Sequence, residues 1–245
     1  MHSKEENKVG LKDCSMRCNT TPSNYQLSLL NLQPGYNRVK YSIKNHKVCI
    51  DGSIFLWNHN AHIVICDVDG TITKSDVGGH IMPIFGNDWV QPGITKLLTT
   101  IHNNGYEVLY LSSRSVAMST RTKKYLTGIK QDSCTLPDGP IVMSSHGILA
   151  SLTLEVIRRK PQQFKIPVLL SIQKLFPASR KPFYAAYGNR DTDIISYISA
   201  GIKVMNVYII NKDGTVKCKN KISPTSYIKL IEHIEELFPK LNHFT

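Results

Sequence analysis

The sequence contains no run of roughly 18 apolar residues, the length that an α-helix needs to cross a bilayer. We therefore expect no transmembrane helix. The amino-terminal stretch MHSKEENKVGLKDCSMRCNTTPSNY is polar and lacks the apolar centre of a signal peptide. Any contact with a membrane is expected to be peripheral.

The six cysteines include no C-x-x-C pair. One of them, Cys66, lies inside an apolar run that is typical of a buried strand. Disulfides persist mainly in oxidising compartments, so this use of cysteine is typical of a reduced, intracellular protein.

A polybasic tail is also lacking, although 30 Lys and Arg against 18 Asp and Glu give a formal net charge of +12. The basic residues are dispersed, with short clusters such as Arg158-Arg159-Lys160 and Arg180-Lys181. The charge favours anionic partners, namely nucleic acid, an acidic membrane surface or a phosphorylated substrate. A solvated basic surface is the alternative.

The sequence does have an apolar fraction of 41%, spread along most of its 245 residues, which is enough for a sizeable core. Residues 1–24 are interpreted as a flexible tail. Residues 25–58 are interpreted as a small β segment, in which YQLSLLNL is a strand and Asp51-Gly52 is a hairpin turn.

From residue 59 to residue 245, strand-like apolar runs alternate with amphipathic segments. Such alternation predicts an α/β domain with a mostly parallel sheet and helices on both faces. Its helices are expected to include VQPGITKLLTTIHNNG and ILASLTLEVIRRK. In the final segment, four apolar residues form one stripe that we expect to pack on the core rather than on a membrane. They are Ile228, Ile231, Ile234 and Phe238.

Polar residues directly follow three of the predicted strands. The three strand ends are Asp67-Val68-Asp69-Gly70-Thr71, Ser112-Ser113-Arg114, and Asn189-Arg190 with Asp193 one helical turn later. Because parallel sheets place their chemistry at the carboxyl ends of the strands, we expect these residues to meet at one edge.

These residue types are the ones that phosphoryl transfer needs. One carboxylate can attack phosphorus and form an aspartyl-phosphate, and a second can protonate the leaving oxygen and then activate water. Two carboxylates beside a phosphate need a counter-charge, which Mg²⁺ supplies through oxygen ligands. Gly70 allows backbone N–H groups to approach the phosphate.

The D-x-D-G pattern also begins calcium-binding loops, but the spacing here does not fit one. An EF-hand needs a carboxylate or amide at its fifth position and Glu at its twelfth, where this chain has Thr71 and Gly78. A plain turn is the remaining alternative, and the other two strand ends argue against it.

The run DVDGTITKSD, with Ser112, a lysine before Asn189, and Asp193, resembles the four motifs of the haloacid dehalogenase superfamily. More closely, the chain is similar to the C-terminal catalytic half of lipins, the Mg²⁺-dependent phosphatidate phosphatases, from about residue 25 to residue 238. The flanking stretches that carry this resemblance are LNLQPGYNRVKYSI, GSIFLWN, PFYAAYGNR and SYIKLIEHIEELFP.

The resemblance implies a haloacid-dehalogenase-like, Rossmann-type catalytic domain over residues 59–245. It also implies that residues 25–58 correspond to the C-terminal part of the lipin immunoglobulin-like domain. In lipins an N-terminal domain, which begins with an amphipathic membrane-binding helix, completes that β-sandwich. Only 24 residues precede the match here, so we expect missing strands. The missing half is then a separate chain, has been lost, or belongs to a longer form.

The resemblance also implies a role for each matching residue. Asp67 would be the nucleophile and a metal ligand. Asp69 would be the acid/base and would offer its backbone carbonyl to Mg²⁺. Ser112 would hydrogen-bond the transferred phosphoryl group, and Asn189 and Asp193 would complete the metal site.

The lysine of the family motifs has three candidates. Lys160 is preferred because it directly precedes Pro161, and Arg159 and Lys165 are weaker matches.

Further residues are expected to contact the phosphate or to steady its surroundings. Arg114 and Arg190 could equally form surface salt bridges. The set consists of Gly70, Thr71, Ser113, Arg114 and Arg190.

The resemblance implies a Mg²⁺-dependent phosphatidate phosphatase that binds an anionic membrane surface. A cytoplasmic protein bound peripherally at the endoplasmic reticulum or nuclear membrane, or a nuclear one, is expected. The alternatives are a phosphatase for a soluble or protein phosphate, and a non-catalytic phosphatidate-binding module. A nucleic-acid role is the weakest hypothesis, because the sequence has no stacking-aromatic or zinc pattern.

Overall fold

The computed structural model describes residues 22–42, 49–74, 89–144, 162–218 and 225–241. Contacts between Cα atoms divide the chain into two compact units, Met1–Gln33 and Pro34–Thr245. The segment ILASLTLEVIRRK, predicted to be a helix, lies outside the described residues.

The described helices are α1 (Asn24–Ser28), α2 (Ile94–Asn103), α3 (Ser119–Gly128), α4 (Gln162–Gln173), α5 (Asp191–Ser199), α6 (Tyr227–Glu232) and α7 (Ile234–Leu237). The described strands are β1 (Gly35–Ser42), β2 (Cys49–Leu56), β3 (Ile63–Asp67), β4 (Glu107–Ser115), β5 (Lys130–Gln131), β6 (Cys134–Thr135), β7 (Ile141–Ser144), β8 (Phe183–Gly188), β9 (Val207–Ile210) and β10 (Val216–Cys218). None of these helices is long and apolar enough to cross a membrane.

A six-stranded sheet forms the centre of the larger unit, in the order β10-β9-β8-β3-β4-β7. Neighbouring strands from β9 to β7 run parallel, and β10 joins the edge as an antiparallel strand. Every residue of β3 is buried. The predicted α/β class with a mostly parallel sheet is confirmed.

The residues of β3 alternate between two cores, because successive side chains of a strand point to opposite faces of the sheet. Val64 and Cys66 pack in a core with residues of α2, α6 and α7. Ile63 and Ile65 pack in a second core with residues of α4 and α5. Helices therefore cover both faces, as the sequence predicted.

The segment YQLSLLNL was predicted to be a strand, and this is wrong. Its first residues lie in α1, which Ser23 begins through a capping box. The Ser23 hydroxyl accepts a hydrogen bond from the backbone N–H of Gln26 at 3.3 Å, and the Gln26 side chain accepts one from the Ser23 N–H at 2.8 Å. These two bonds satisfy N–H groups that would otherwise be unpaired at the start of a helix.

The predicted hairpin turn at Asp51-Gly52 is also wrong. Both residues lie within β2, which pairs with β1 in antiparallel register from Gly35↔Leu56 to Ser42↔Cys49. Asp51 instead forms an exposed ion pair with Arg38 across the two strands, at 3.2 Å. The hairpin belongs to the larger unit. A domain boundary at residue 58 stays a prediction.

The prediction that the carboxyl-terminal stripe packs on the core is only partly correct. The segment forms two helices, since α6 ends at Glu232 and α7 begins at Ile234, with His233 between them. Tyr227 and Leu230 are buried while Ile228 is 53% exposed, so the buried face of α6 is offset from the predicted stripe. Ile234 and Phe238 are buried on the core, as expected.

Candidate active site

The polar residues that follow β3, β4 and β8 lie at one edge of the sheet, because these strands are adjacent and parallel. Ser112 donates a hydrogen bond to the Asp69 carboxylate at 3.2 Å, which joins the ends of β3 and β4. Gly70 lies against the Asn189 side chain, which joins the ends of β3 and β8. The structure thus brings the three predicted strand ends together.

Asp67 is the last residue of β3 and is 4% exposed. Its Oδ1 atom accepts a hydrogen bond from the Lys165 ammonium at 2.5 Å. Its Oδ2 atom accepts one from the Thr71 hydroxyl at 3.1 Å. Two donors therefore fix the orientation of the carboxylate, and Thr71 supports it directly.

Lys165 contacts both buried carboxylates of the site. It lies on α4 with only 3% of its surface exposed, and its Nζ atom is 2.7 Å from Asp193 Oδ1 as well as 2.5 Å from Asp67 Oδ1. Of the three candidates for the motif lysine, Lys165 is the one that the described part of the chain places at this site. Lys160 and Arg159 lie outside the described residues.

Asp193 lies in the first turn of α5 and is fully buried. Besides its contact with Lys165, its Oδ2 atom accepts hydrogen bonds from the backbone N–H groups of Asn189 at 3.0 Å and Arg190 at 3.1 Å. A Cβ atom on Gly188 would lie 2.6 Å from Asp193 Cβ, so the close approach requires glycine. Asp193 therefore holds Lys165 and the end of β8 in place.

The Asp69 carboxylate is held by Arg114. The Arg114 Nη2 atom lies 2.7 Å from Asp69 Oδ1, and Nε lies 3.0 Å from Oδ1 and 3.2 Å from Oδ2. Arg114 was expected either to contact the phosphate or to form a surface salt bridge. The structure shows a salt bridge with Asp69.

Gly70 adopts a φ of +83°, a backbone conformation that residues with a Cβ rarely take. A Cβ atom at this position would lie 2.0 Å from the Asn189 Nδ2 atom. The Gly70 N–H donates to the Thr73 hydroxyl at 3.0 Å, so Thr73 supports the loop, a role that sequence analysis missed.

The two remaining predicted residues lie near this edge. Ser113 is half-buried in β4, next to Ser112. Arg190 precedes α5 at its N-cap position, where its backbone N–H contacts Asp193.

Burial raises the pKa of Asp67 to about 7, with the Lys165 ammonium opposing the shift and the Asp193 carboxylate adding to it. Burial lowers the pKa of Lys165, but the charges of Asp67 and Asp193 outweigh burial and leave it above its ordinary value. Lys165 therefore stays protonated at neutral pH and is the fixed positive charge of the site.

The donor atoms at this edge suit a hard cation such as Mg²⁺, which prefers oxygen ligands and keeps several waters. The Asp67 carboxylate, the Asp69 backbone carbonyl and the Asn189 amide oxygen are the residues that could hold it. Among the described residues, no three His, Cys, Asp or Glu side chains cluster as metal ligands. Asp193 accepts three hydrogen bonds, from Lys165 and from the backbone N–H groups of Asn189 and Arg190, and its place in the metal site stays a prediction.

A family model described as LNS2 (Lipin/Ned1/Smp2) matches residues 18–239 of this chain. The chain belongs to the LNS2 family. Phosphatidate phosphatase PAH1 of Arabidopsis thaliana is 44% identical over 89% of this chain. Nuclear elongation and deformation protein 1 of Schizosaccharomyces pombe is 41% identical over 88%, and human phosphatidate phosphatase LPIN1 is 38% identical over 88%.

This LNS2 chain spans 25% of the length of the Arabidopsis and human relatives and 34% of the Schizosaccharomyces relative. Among solved structures, a chain in the Pnkp1/Rnl/Hen1 RNA repair complex matches with a TM-score of 0.38 and 16% identity. That match covers 62% of this chain and 42% of the other.

Proposed function

We propose that this LNS2 chain is a Mg²⁺-dependent phosphatidate phosphatase, which converts phosphatidate and water to diacylglycerol and phosphate. The observation that carries the proposal is the buried Asp67 carboxylate, fixed by Lys165 and Thr71 at the edge where Asp69 also lies. The names of the Arabidopsis and human relatives, both phosphatidate phosphatases, support phosphatidate as the substrate.

In the proposed first step, an Asp67 oxygen attacks the phosphorus atom, and the bond from phosphorus to the glycerol oxygen breaks. The electron pair of that bond leaves with the glycerol oxygen, which takes a proton from Asp69 and departs as diacylglycerol. Lys165 offers its positive charge beside the group being transferred, where a preorganised charge is most effective.

In the proposed second step, a water molecule attacks the phosphorus of the aspartyl-phosphate and gives a proton to Asp69. The bond from phosphorus to the Asp67 oxygen breaks, its electron pair returns to the carboxylate, and inorganic phosphate leaves. Asp69 regains the proton that it gave up, so the cycle closes. When bound, Mg²⁺ would supply charge neutralisation on the phosphoryl oxygens.

The test is release of phosphate from phosphatidate in detergent micelles, with and without Mg²⁺. The wild type should turn over only with Mg²⁺, and Asp67→Asn should reduce release to background because an amide is a far weaker nucleophile. Asp132→Asn, which changes an exposed carboxylate, is the matched control. A folded wild type that releases no phosphate would overturn the proposal.

Two further measurements distinguish this function from a phosphatase for a soluble phosphate and from a non-catalytic binding module. Faster turnover of a soluble phosphate ester than of phosphatidate would reassign the substrate. Binding to phosphatidate liposomes without any turnover would favour a non-catalytic module.

We also propose that the chain binds anionic membrane surfaces peripherally, at the endoplasmic reticulum or nuclear membrane, from the cytoplasm or the nucleus. The net charge of +12 supports this, since each Lys or Arg near an anionic surface contributes about 1 kcal/mol. Sedimentation with liposomes should increase with their anionic lipid content, and binding that ignores that content would contradict the idea.

A separate chain that completes a β-sandwich on the hairpin of β1 and β2 is proposed as a partner. Tyr41 and Ile50 are directly paired in this hairpin and are 60% and 65% exposed, so they offer apolar surface to such a chain. Tyr41→Ser should weaken its association in a pull-down, and unchanged association would argue against this surface.

A further inference from the structure

The Arg114 guanidinium is committed to Asp69 through two of its nitrogen atoms. Nη2 and Nε both donate to the carboxylate, at distances from 2.7 to 3.2 Å. Such a forked contact fixes the plane of a carboxylate, which a single donor does not do. Arg114 and Asp69 side chains are 20% and 13% exposed, so water screens this ion pair less than one on the open surface.

Ser112 completes the support of Asp69. Its hydroxyl donates to Asp69 Oδ2 at 3.2 Å, and the Ser112 Oγ atom accepts a hydrogen bond from the Arg114 backbone N–H at 3.2 Å. The end of β4 therefore supplies two side chains that hold one carboxylate.

The ring of Tyr125 on α3 lies behind the guanidinium. The Arg114 Cζ atom is 5.9 Å from the ring centroid, within the range of a cation–π contact. Burial raises the pKa of the Tyr125 phenol, with Arg114 opposing the shift and Asp69 adding to it, so the ring is uncharged at neutral pH. Tyr125 is not part of the strand-end motifs.

A phosphate-binding arginine would direct the same nitrogen atoms at the phosphoryl oxygens. In this chain those atoms are used on Asp69, while the ammonium of Lys165 lies beside Asp67. The positive charge of Arg114 thus lies beside Asp69, and that of Lys165 lies beside Asp67.

We propose that Arg114 is the positioning residue for the Asp69 carboxylate, and that the Tyr125 ring positions Arg114. This inference rests on the proposed function, since it assigns Asp69 the acid/base role. Neither residue contacts the transferred phosphoryl group. Loss of either is expected to lower kcat and to leave KM and phosphate binding nearly unchanged.

The first experiment measures steady-state kinetics with Mg²⁺ on phosphatidate micelles and on 4-nitrophenyl phosphate. Arg114→Met should lower kcat roughly 10- to 100-fold, the cost of a misplaced catalytic group, with KM within about twofold. Tyr125→Leu should show a smaller loss of kcat, and Tyr125→Phe should restore it because the ring face is kept. Arg121→Met, an exposed arginine on the same helix, is the matched control.

The second experiment is a double-mutant cycle between the two partners. If Arg114 acts only through Asp69, Asp69→Asn combined with Arg114→Met should be no slower than Asp69→Asn alone, within about twofold. Multiplied losses would overturn the proposal, because Arg114 would then act independently of Asp69.

A binding measurement, which requires no turnover, distinguishes this proposal from a phosphate-binding role of Arg114. Calorimetry with inorganic phosphate and Mg²⁺ should give Arg114→Met the wild-type Kd within about twofold, whereas a tenfold weaker Kd, about 1.4 kcal/mol, would overturn the proposal. Arg114→Lys and Tyr125→Leu supply the same comparison if Arg114→Met does not fold. If the wild type hydrolyses 4-nitrophenyl phosphate but not phosphatidate, the proposed substrate is wrong. The role of Arg114 is then tested by the kcat and KM of Arg114→Met on 4-nitrophenyl phosphate.

Discussion

At the scale of single residues, one buried ammonium separates two buried carboxylates. Lys165 lies within 2.7 Å of both Asp67 and Asp193, and all three side chains are at most 6% exposed. Charges in such a place are tolerated only when they are paired, because burial removes their hydration. The stability of this edge of the sheet therefore depends on Lys165.

We expect Lys165→Met to lower the free energy of unfolding by about 3–5 kcal/mol, because it leaves two buried carboxylates facing each other. Urea unfolding followed by circular dichroism measures the change, with Lys174→Met, at an exposed position just after α4, as the control. A loss as small as that of the control would show that the carboxylates do not depend on this ammonium.

Gly70→Ala tests the loop between the two aspartates. It should abolish most activity and destabilise the fold by about 1–3 kcal/mol, because alanine at a φ of +83° is strained and its Cβ would displace Asn189. Gly128→Ala is the matched control: a Cβ there meets no atom within 4 Å, and we expect unchanged activity. Equal phosphate release by both variants would contradict the expectation.

Part of the site could be predicted from the sequence. The strand-end rule found Asp67, Ser112 and Asn189, because an apolar run followed by polar residues is a local pattern. The preference for Lys160 rested on the neighbouring Pro161, whereas the structure shows Lys165 of α4 between the two carboxylates. Lys165 interrupts the buried face that Phe164 and Leu169 define, and a lysine on an apolar face was the signal that could have found it.

At the scale of helices and strands, periodicity was reliable where one face packs on the sheet. The apolar face of α2, formed by Ile94, Leu97, Leu98 and Ile101, is fully buried, and the alternation of β3 between two cores follows from its apolar run. It failed for α1, whose capping box at Ser23 decided the structure, and at His233, where one helix gives way to another. Neither the capping box nor the change of helix at His233 is part of the apolar period, so the period alone did not find them.

Leu98→Ala tests the contribution of α2. Leu98 is fully buried in the core between α2 and the sheet, so its truncation leaves a cavity and should cost about 2–5 kcal/mol. Lys96→Ala, on the exposed face of the same helix, should change stability by less than about 0.5 kcal/mol. Chemical unfolding of both variants gives the comparison, and similar values would mean that α2 packs loosely.

At the scale of the whole molecule, residues distant in sequence hold the carboxyl-terminal segment against the sheet. The Asn104 side chain donates to the Phe238 carbonyl at 2.7 Å, and the Asn104 carbonyl accepts from the Leu241 N–H at 2.8 Å. The Tyr106 and Tyr184 hydroxyls donate to the carbonyls of Pro239 and Leu237. These contacts close one face of the core.

Asn104→Ala should lower the free energy of unfolding by about 1–3 kcal/mol, since the Phe238 carbonyl would stay buried without its donor. The carboxyl-terminal segment should also be cut sooner in limited proteolysis. Asn60→Ala, at an exposed turn position, is the control. Unchanged cleavage of the segment would mean that the tyrosine contacts suffice to hold it.

The same contacts have a consequence during synthesis on the ribosome. Tyr106 and Phe238 pack edge to face, and 131 residues of chain lie between them. At roughly 5–20 residues per second, several seconds pass between the synthesis of Tyr106 and that of Phe238. Until Phe238 is made, the apolar side chains that it covers stay open to solvent, which is the kind of surface that chaperones bind.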